Sequence, residues 1–126
     1  MASKTSYAVE PSTEKFIGSV EVLKSCIELQ LKKSRDYQNP NSSVVQADYY
    51  PRGIDTIMDI VHGKMLRVKS LTEASKGDVV AAEPYFESIK DSIMDAINYL
   101  SFAASWIDGT IPGQKTGYDI FNVRFK

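Results

Sequence analysis

The chain has 126 residues, one domain's worth, and its 43% hydrophobic and 25% charged content argues against general disorder. Fifteen basic and 16 acidic residues leave a net charge of −1, which gives no footprint for long nucleic acid. A single cysteine, Cys26, excludes an internal disulfide framework, and no run of about 18 apolar residues could form a membrane-spanning helix.

Residues 1–11 are polar and read as a flexible N-terminus without a secretory signal, so a reducing, cytoplasmic setting is expected. Pro11-Ser12-Thr13 is a helix start with Ser12 or Thr13 as cap. Phe16, Val20, Leu23, Ile27 and Leu31 then form one helical stripe, predicting a helix to about Tyr37, with Cys26 as an inert packed thiol. Asn39-Pro40-Asn41-Ser42-Ser43 breaks it, and a long loop over 38–53 follows. The second helix is predicted from Ile54 to Leu71, and residues 72–82 are a polar connection. Pro84 suits the first turn of a third helix that runs to about Ile107, with Ile89, Ile93, Ile97 and Leu100 on one face. Gly109, Pro112, Gly113 and Gly117 end it. The segment from Tyr118 to Phe125 alternates weakly and reads as a short strand or an arm. The expected fold is therefore all-α: a bundle of three to four main helices over 12–108, with an irregular tail over 109–126.

The charges on these helices are the chemical signal. Glu87, Asp91 and Asp95 recur every four residues on one face of the third helix, and Asn98 extends the row. A solvated helix side is the ordinary meaning of such a row. Here Tyr99, Phe102 and Met94 share that side while the isoleucines occupy another, a pattern of a helix covered on both sides. Stacked carboxylates in such a place need partners, and a divalent cation with oxygen ligands is one solution. On the second helix Lys64 and Arg67 project from an apolar face. They could pair with the carboxylates of the third helix or bind phosphate, where a lysine acts as a point charge and an arginine as a fork. The first helix carries Glu28, Lys32 and Asp36 at four-residue steps, a pattern also common in surface charge pairs, followed by Tyr37 as a ring on which a base could stack. His62 reads as a surface or satisfied histidine and Trp106 as packing; no glycine-rich phosphate loop and no Cys/His metal spacing is present.

Three stretches bear a resemblance: Lys32-Lys33-Ser34-Arg35-Asp36-Tyr37-Gln38-Asn39-Pro40, Lys64-Met65-Leu66-Arg67-Val68, and Ser88-Ile89-Lys90-Asp91-Ser92-Ile93-Met94-Asp95-Ala96-Ile97-Asn98-Tyr99. Their order resembles the MazG-like, all-α NTP pyrophosphatase group, nearest the phage-associated branch called the nucleotide-modification-associated domain. That branch pairs K-x-x-D-Y, K-x-x-R and D-x-x-x-D-x-x-x-Y elements. The resemblance covers roughly residues 25–104. It implies a homodimer or homotetramer that hydrolyses an NTP or dNTP to the monophosphate and pyrophosphate with Mg²⁺, or Mn²⁺ as a substitute. Its implied metal and catalytic set is Glu28, Asp91 and Asp95, with Glu87 as a further metal ligand. Lys32, Asp36, Tyr37, Lys64, Arg67 and Asn98 would contact substrate. The chain departs from the better-known MazG pattern of E-x-x-E and E-x-x-D: Leu31 stands three positions after Glu28, and Asp91-x-x-x-Asp95 replaces the second element. Two other functions fit the same residues, a nucleotide-sequestering module without catalysis and a helical assembly protein whose charged faces pair with each other.

Overall fold

The computed structural model describes residues 17–77 and 82–126, with the side chains of residues 82–84 left aside. Three long helices follow in chain order: α1, Ile17–Tyr37; α2, Ile54–Gly77; and α3, Ala82–Ile107. A one-turn 3-10 helix, Gln46–Tyr49, lies between α1 and α2. The all-α expectation holds, with three main helices among the described residues. The cap at Ser12 or Thr13 lies outside those residues. The second helix runs six residues past its expected end at Leu71, because Lys69 to Gly77 contain no breaker before the glycine itself. The weak alternation of Tyr118 to Phe125 yields no strand; its ladder is one antiparallel bridge between Tyr118 and Arg124.

α2 and α3 pack along their lengths, while α1 meets α3 only along a narrow line. The buried centre lies at one end of the bundle. Tyr50, Ile57, Ala103, Trp106 and Ile111 form it, and Ile54, Ile60, Tyr99 and Phe102 pack around them. Trp106 is almost fully covered, stands edge-on to the Tyr50 ring at 6.0 Å, and donates its indole N–H to the Ile120 carbonyl at 2.9 Å. The indole can be buried because its polar atom is satisfied. The same carbonyl accepts from the Ile54 amide at 2.8 Å, so the C-terminal tail closes the start of α2. Gly53 permits that approach: its φ is +59°, and a Cβ there would lie 2.2 Å from the Ile120 oxygen.

α3 ends in a Schellman motif. Gly109 has φ +75°, its amide bonds the Trp106 carbonyl, and the Thr110 amide bonds the Ser105 carbonyl. The Gln114 amide group then caps the Trp106 carbonyl at 2.8 Å. Residues 109–126 are thus an ordered closure of the core rather than a loose tail.

The apolar stripe of α1 does not enter this core. Leu23, Ile27 and Leu31 are 52%, 50% and 65% exposed. What α1 turns toward α3 is the series Cys26, Gln30, Lys33 and Tyr37, at helical spacing. α3 is also only partly as its pattern predicts. Its carboxylate and aromatic side faces α1, whereas Ile93 and Leu100 of the isoleucine side remain substantially exposed.

Candidate active site

Asp95 is the one carboxylate that all three helices surround. It sits three-quarters buried on α3, with Lys33 of α1 at 3.5 Å from one oxygen and Lys64 of α2 at 3.4 Å from the other. Four-residue spacing places Asp91 below Asp95 and Tyr99 above it on the same side of α3. The Lys64 contact is the pairing between a cation on α2 and a carboxylate on α3 that the sequence admits. Lys33 doubles it from the other side.

One turn above, the Tyr37 and Tyr99 hydroxyls are 3.1 Å apart. Tyr37 stands edge-on to Tyr49 at 5.4 Å and to Phe102 at 6.3 Å, and Tyr99 meets Phe102 at 5.4 Å. Burial raises the Tyr37 hydroxyl well above the ordinary tyrosine range, reinforced by its bond to Tyr99. Asn98 is buried and accepts from the Gln30 amide at 3.3 Å; Gln30 also donates to Ser101 at 3.0 Å. A cavity of about 30 Å³, room for roughly one water, lies between Gln30, Lys33, Tyr37, Asp95, Asn98 and Phe102. A wider cleft of about 320 Å³ opens beside it, lined by Leu29, Lys33, Asp91, Met94 and Asp95. Cys26 packs under the cluster, near the Met94 carbonyl; burial first and the Asp95 charge second push its thiol up, which disfavours the thiolate.

Of the residues singled out in the sequence, Tyr37, Lys64, Asp95 and Asn98 converge, with Asp91 exposed at the cleft's edge. Glu87 and Arg67 are exposed. Glu28, Lys32 and Asp36 are exposed as well, and a turn of 100° per residue carries them to the side of α1 away from the Cys26–Tyr37 contact series. Among the described residues no group of three or more His, Cys, Asp or Glu side chains could hold a metal ion. Lys33, Gln30 and Tyr49 join the cluster without having been picked out as site residues. The Gln30, Lys33, Tyr37 spacing marks one face of α1, but that face is polar, and a search for apolar stripes passes over it.

Chemically, the cluster offers two carboxylates on successive turns, two lysines, an amide pair and a group of aromatic rings. A second cavity, about 510 Å³, lies under the tail between Trp106, Asp108, Lys115, Tyr118 and Phe125, away from these groups. No family model, curated protein or solved structure matches the chain. No helix of the described residues is long and apolar enough to cross a membrane.

Proposed function

We propose that this chain is a Mg²⁺-dependent nucleoside triphosphate pyrophosphohydrolase acting on an NTP or dNTP in the nucleotide pool, as a homodimer or homotetramer. One observation carries the reading. The three sequence elements that suggest it, distant along the chain, supply Lys33 and Tyr37, Lys64, and Asp91, Asp95 and Tyr99 to one locality.

Asp91 and Asp95 fit a Mg²⁺ ion, which needs only one or two carboxylates when phosphate oxygens and water complete its shell. Bound there, the ion would supply charge neutralisation and a more acidic water. The chain's own contribution is an exchange of partners. Lys33 and Lys64 neutralise Asp95 in the free protein. When a triphosphate enters, the lysines turn from Asp95 to phosphate oxygens, and Asp95 becomes available as a ligand. The lysines then favour the charge that gathers on the departing pyrophosphate as water attacks the α-phosphorus and the α–β bridging bond breaks. Tyr49, half exposed beside Tyr37, gives a surface on which a base can stack.

The test is pyrophosphate release from a panel of NTPs and dNTPs with Mg²⁺ or Mn²⁺, comparing the wild type with Asp91→Asn and Asp95→Asn. Turnover that falls at least a hundredfold in both variants, with helicity kept, supports the reading. Equal turnover in all three proteins, or none with any nucleotide, ends it. A second reading, a nucleotide-sequestering module, is favoured by the two lysines already seated on Asp95. Calorimetry that finds nucleotide binding without pyrophosphate release would select it.

A further inference from the structure

We propose that the cavity under the C-terminal tail binds a small aliphatic polyamine, its ammonium groups meeting Asp108, Asp119 and the ring of Tyr118. The site stands apart from the reaction proposed above and shares no residue with the cavities around Asp95. It measures about 510 Å³, within the roughly 300–1,000 Å³ of small-molecule sites. The end of α3 and the tail supply its walls. The Phe125 amide bonds the Gly117 carbonyl at 2.9 Å beside the Tyr118–Arg124 bridge, so both rings reach the same cavity. Ile107 and Ile120 add apolar surface for an aliphatic stem.

The charges of the lining select a cation. They are Asp108, Lys115 and Asp119, which leaves an excess of one negative charge. The backbone adds to it. α3 ends at Ile107 with no basic residue in its last turn, and Asp108 follows directly. The C-terminal end of a helix carries partial negative charge, so a carboxylate there is unfavourable until a cation joins it. Among the described residues the Asp108 carboxylate has neither an ion pair nor a hydrogen bond. Asp119 is held in place, because one of its oxygens accepts from the Phe121 and Val123 amides, each at 2.9 Å. Its other oxygen has no protein partner among the described residues.

An ammonium group already rests on this wall. Lys115 Nζ lies 5.2 Å from the centre of the Tyr118 ring, inside the roughly 6 Å reach of a cation–π contact. It makes no ion pair with either aspartate among the described residues. The ring thus accepts a cation while both carboxylates stay unneutralised. Lys115 is exposed and also lines an adjoining cavity of about 230 Å³, whose wall includes Asp48. An incoming ammonium takes the ring, and the lysine turns toward Asp48. An anion is served worse: Lys115 is the single cation of the lining, opposed by two carboxylates and the helix end. Two carboxylates on separate segments, with apolar wall beside them, match more than one ammonium on a single stem.

Calorimetry of the full chain with spermidine, without nucleotide or metal, tests the proposal. Fluorescence of Trp106, the single tryptophan and part of the cavity wall, locates the site. The expected result is one site with a dissociation constant below about 1 mM and a change in Trp106 emission. Asp108→Asn should weaken binding about fivefold, the loss of one partly solvated ion pair. Lys115→Gln should tighten it about threefold by freeing the ring. Glu73→Gln, exposed on α2, should leave it unchanged. Spermidine should raise the melting temperature of the wild type more than that of Asp108→Asn. No binding overturns the proposal, and so does equal weakening by Glu73→Gln and Asp108→Asn, which would mean diffuse attraction. Weaker binding in Lys115→Gln, or inorganic phosphate bound in place of spermidine, would make the cavity an anion site. Tighter binding of a basic tripeptide than of spermidine would make the partner a protein and overturn the small-molecule assignment. None of these variants touches the cluster around Asp95, so pyrophosphate release is judged separately.

Discussion

Replacing Asp95 by asparagine keeps the side chain's shape and removes the charge between Lys33 and Lys64. Both ion pairs are partly solvent-screened: Lys33 is half exposed and Lys64 about one-third exposed. Pairs of this kind contribute roughly 0.2–1 kcal/mol each. Asparagine can still accept a hydrogen bond from one lysine, and the two ammonium groups then repel each other across the gap. The expected loss is about 1 kcal/mol, or roughly 4 °C in melting temperature for a chain of this length. Urea titrations of wild type, Asp95→Asn, Lys64→Met and the double variant form a double-mutant cycle. Its coupling energy should be about 0.5 kcal/mol and should shrink as salt rises from 0.05 to 0.5 M, concentrations across which the screening length falls well below 10 Å. A coupling indistinguishable from zero at low salt would mean that the lysines do not hold Asp95 in solution. The partner exchange proposed for substrate entry would then lose its starting state.

Ile57→Ala, at a fully buried position of α2, should cost about 2–5 kcal/mol by urea midpoint. Gly53→Ala should cost roughly 2–4 kcal/mol in the same assay, since alanine disfavours φ +59° and its Cβ would press on the Ile120 carbonyl. Burial raises the Tyr37 and Tyr50 hydroxyls above the ordinary tyrosine value of about 10, and the Tyr99 bond raises Tyr37 further. A raised value means that the neutral form is favoured in the fold, so its stabilisation is complete below pH 10 and is lost as pH climbs beyond it. Unfolding free energy should therefore fall above pH 10, with a shallower slope in Tyr37→Phe; an identical slope would remove Tyr37 as a cause.

Periodicity made the three helices legible, because a 3.6-residue repeat is a local property written within each segment. It also marked Trp106 as packing, and of the acidic row on α3 it marked Asn98 and Asp95 as more than a solvated face: Asn98 and three-quarters of Asp95 are covered, while Glu87 and Asp91 stay exposed. The closure at Gly53 was not legible. It depends on Ile120, 67 positions away, and no local pattern announces that a carbonyl in an irregular segment will cap both Ile54 and Trp106. The direction of α1 was not legible either. A stripe such as Leu23, Ile27 and Leu31 states that one side of a helix avoids water, and it does not state whether the cover comes from the same chain. Lys33 and Gln30 escaped notice for the complementary reason, since polar residues at helical spacing look like any solvated side until a neighbouring helix is placed against them.

α1 thus has two unlike sides. Its polar face supplies Gln30, Lys33 and Tyr37 to the cluster around Asp95. Hydrogen bonds, one partly screened ion pair and the edge-on contact of Tyr37 with Phe102 hold that face to α3, and such polar contacts are individually weak in water. Its apolar side keeps Leu23, Ile27 and Leu31 at least half exposed. A helix anchored so lightly loses little by shifting, and a ligand that gripped Lys33 and Tyr37 would fix its orientation and stabilise the fold by the free energy of that binding.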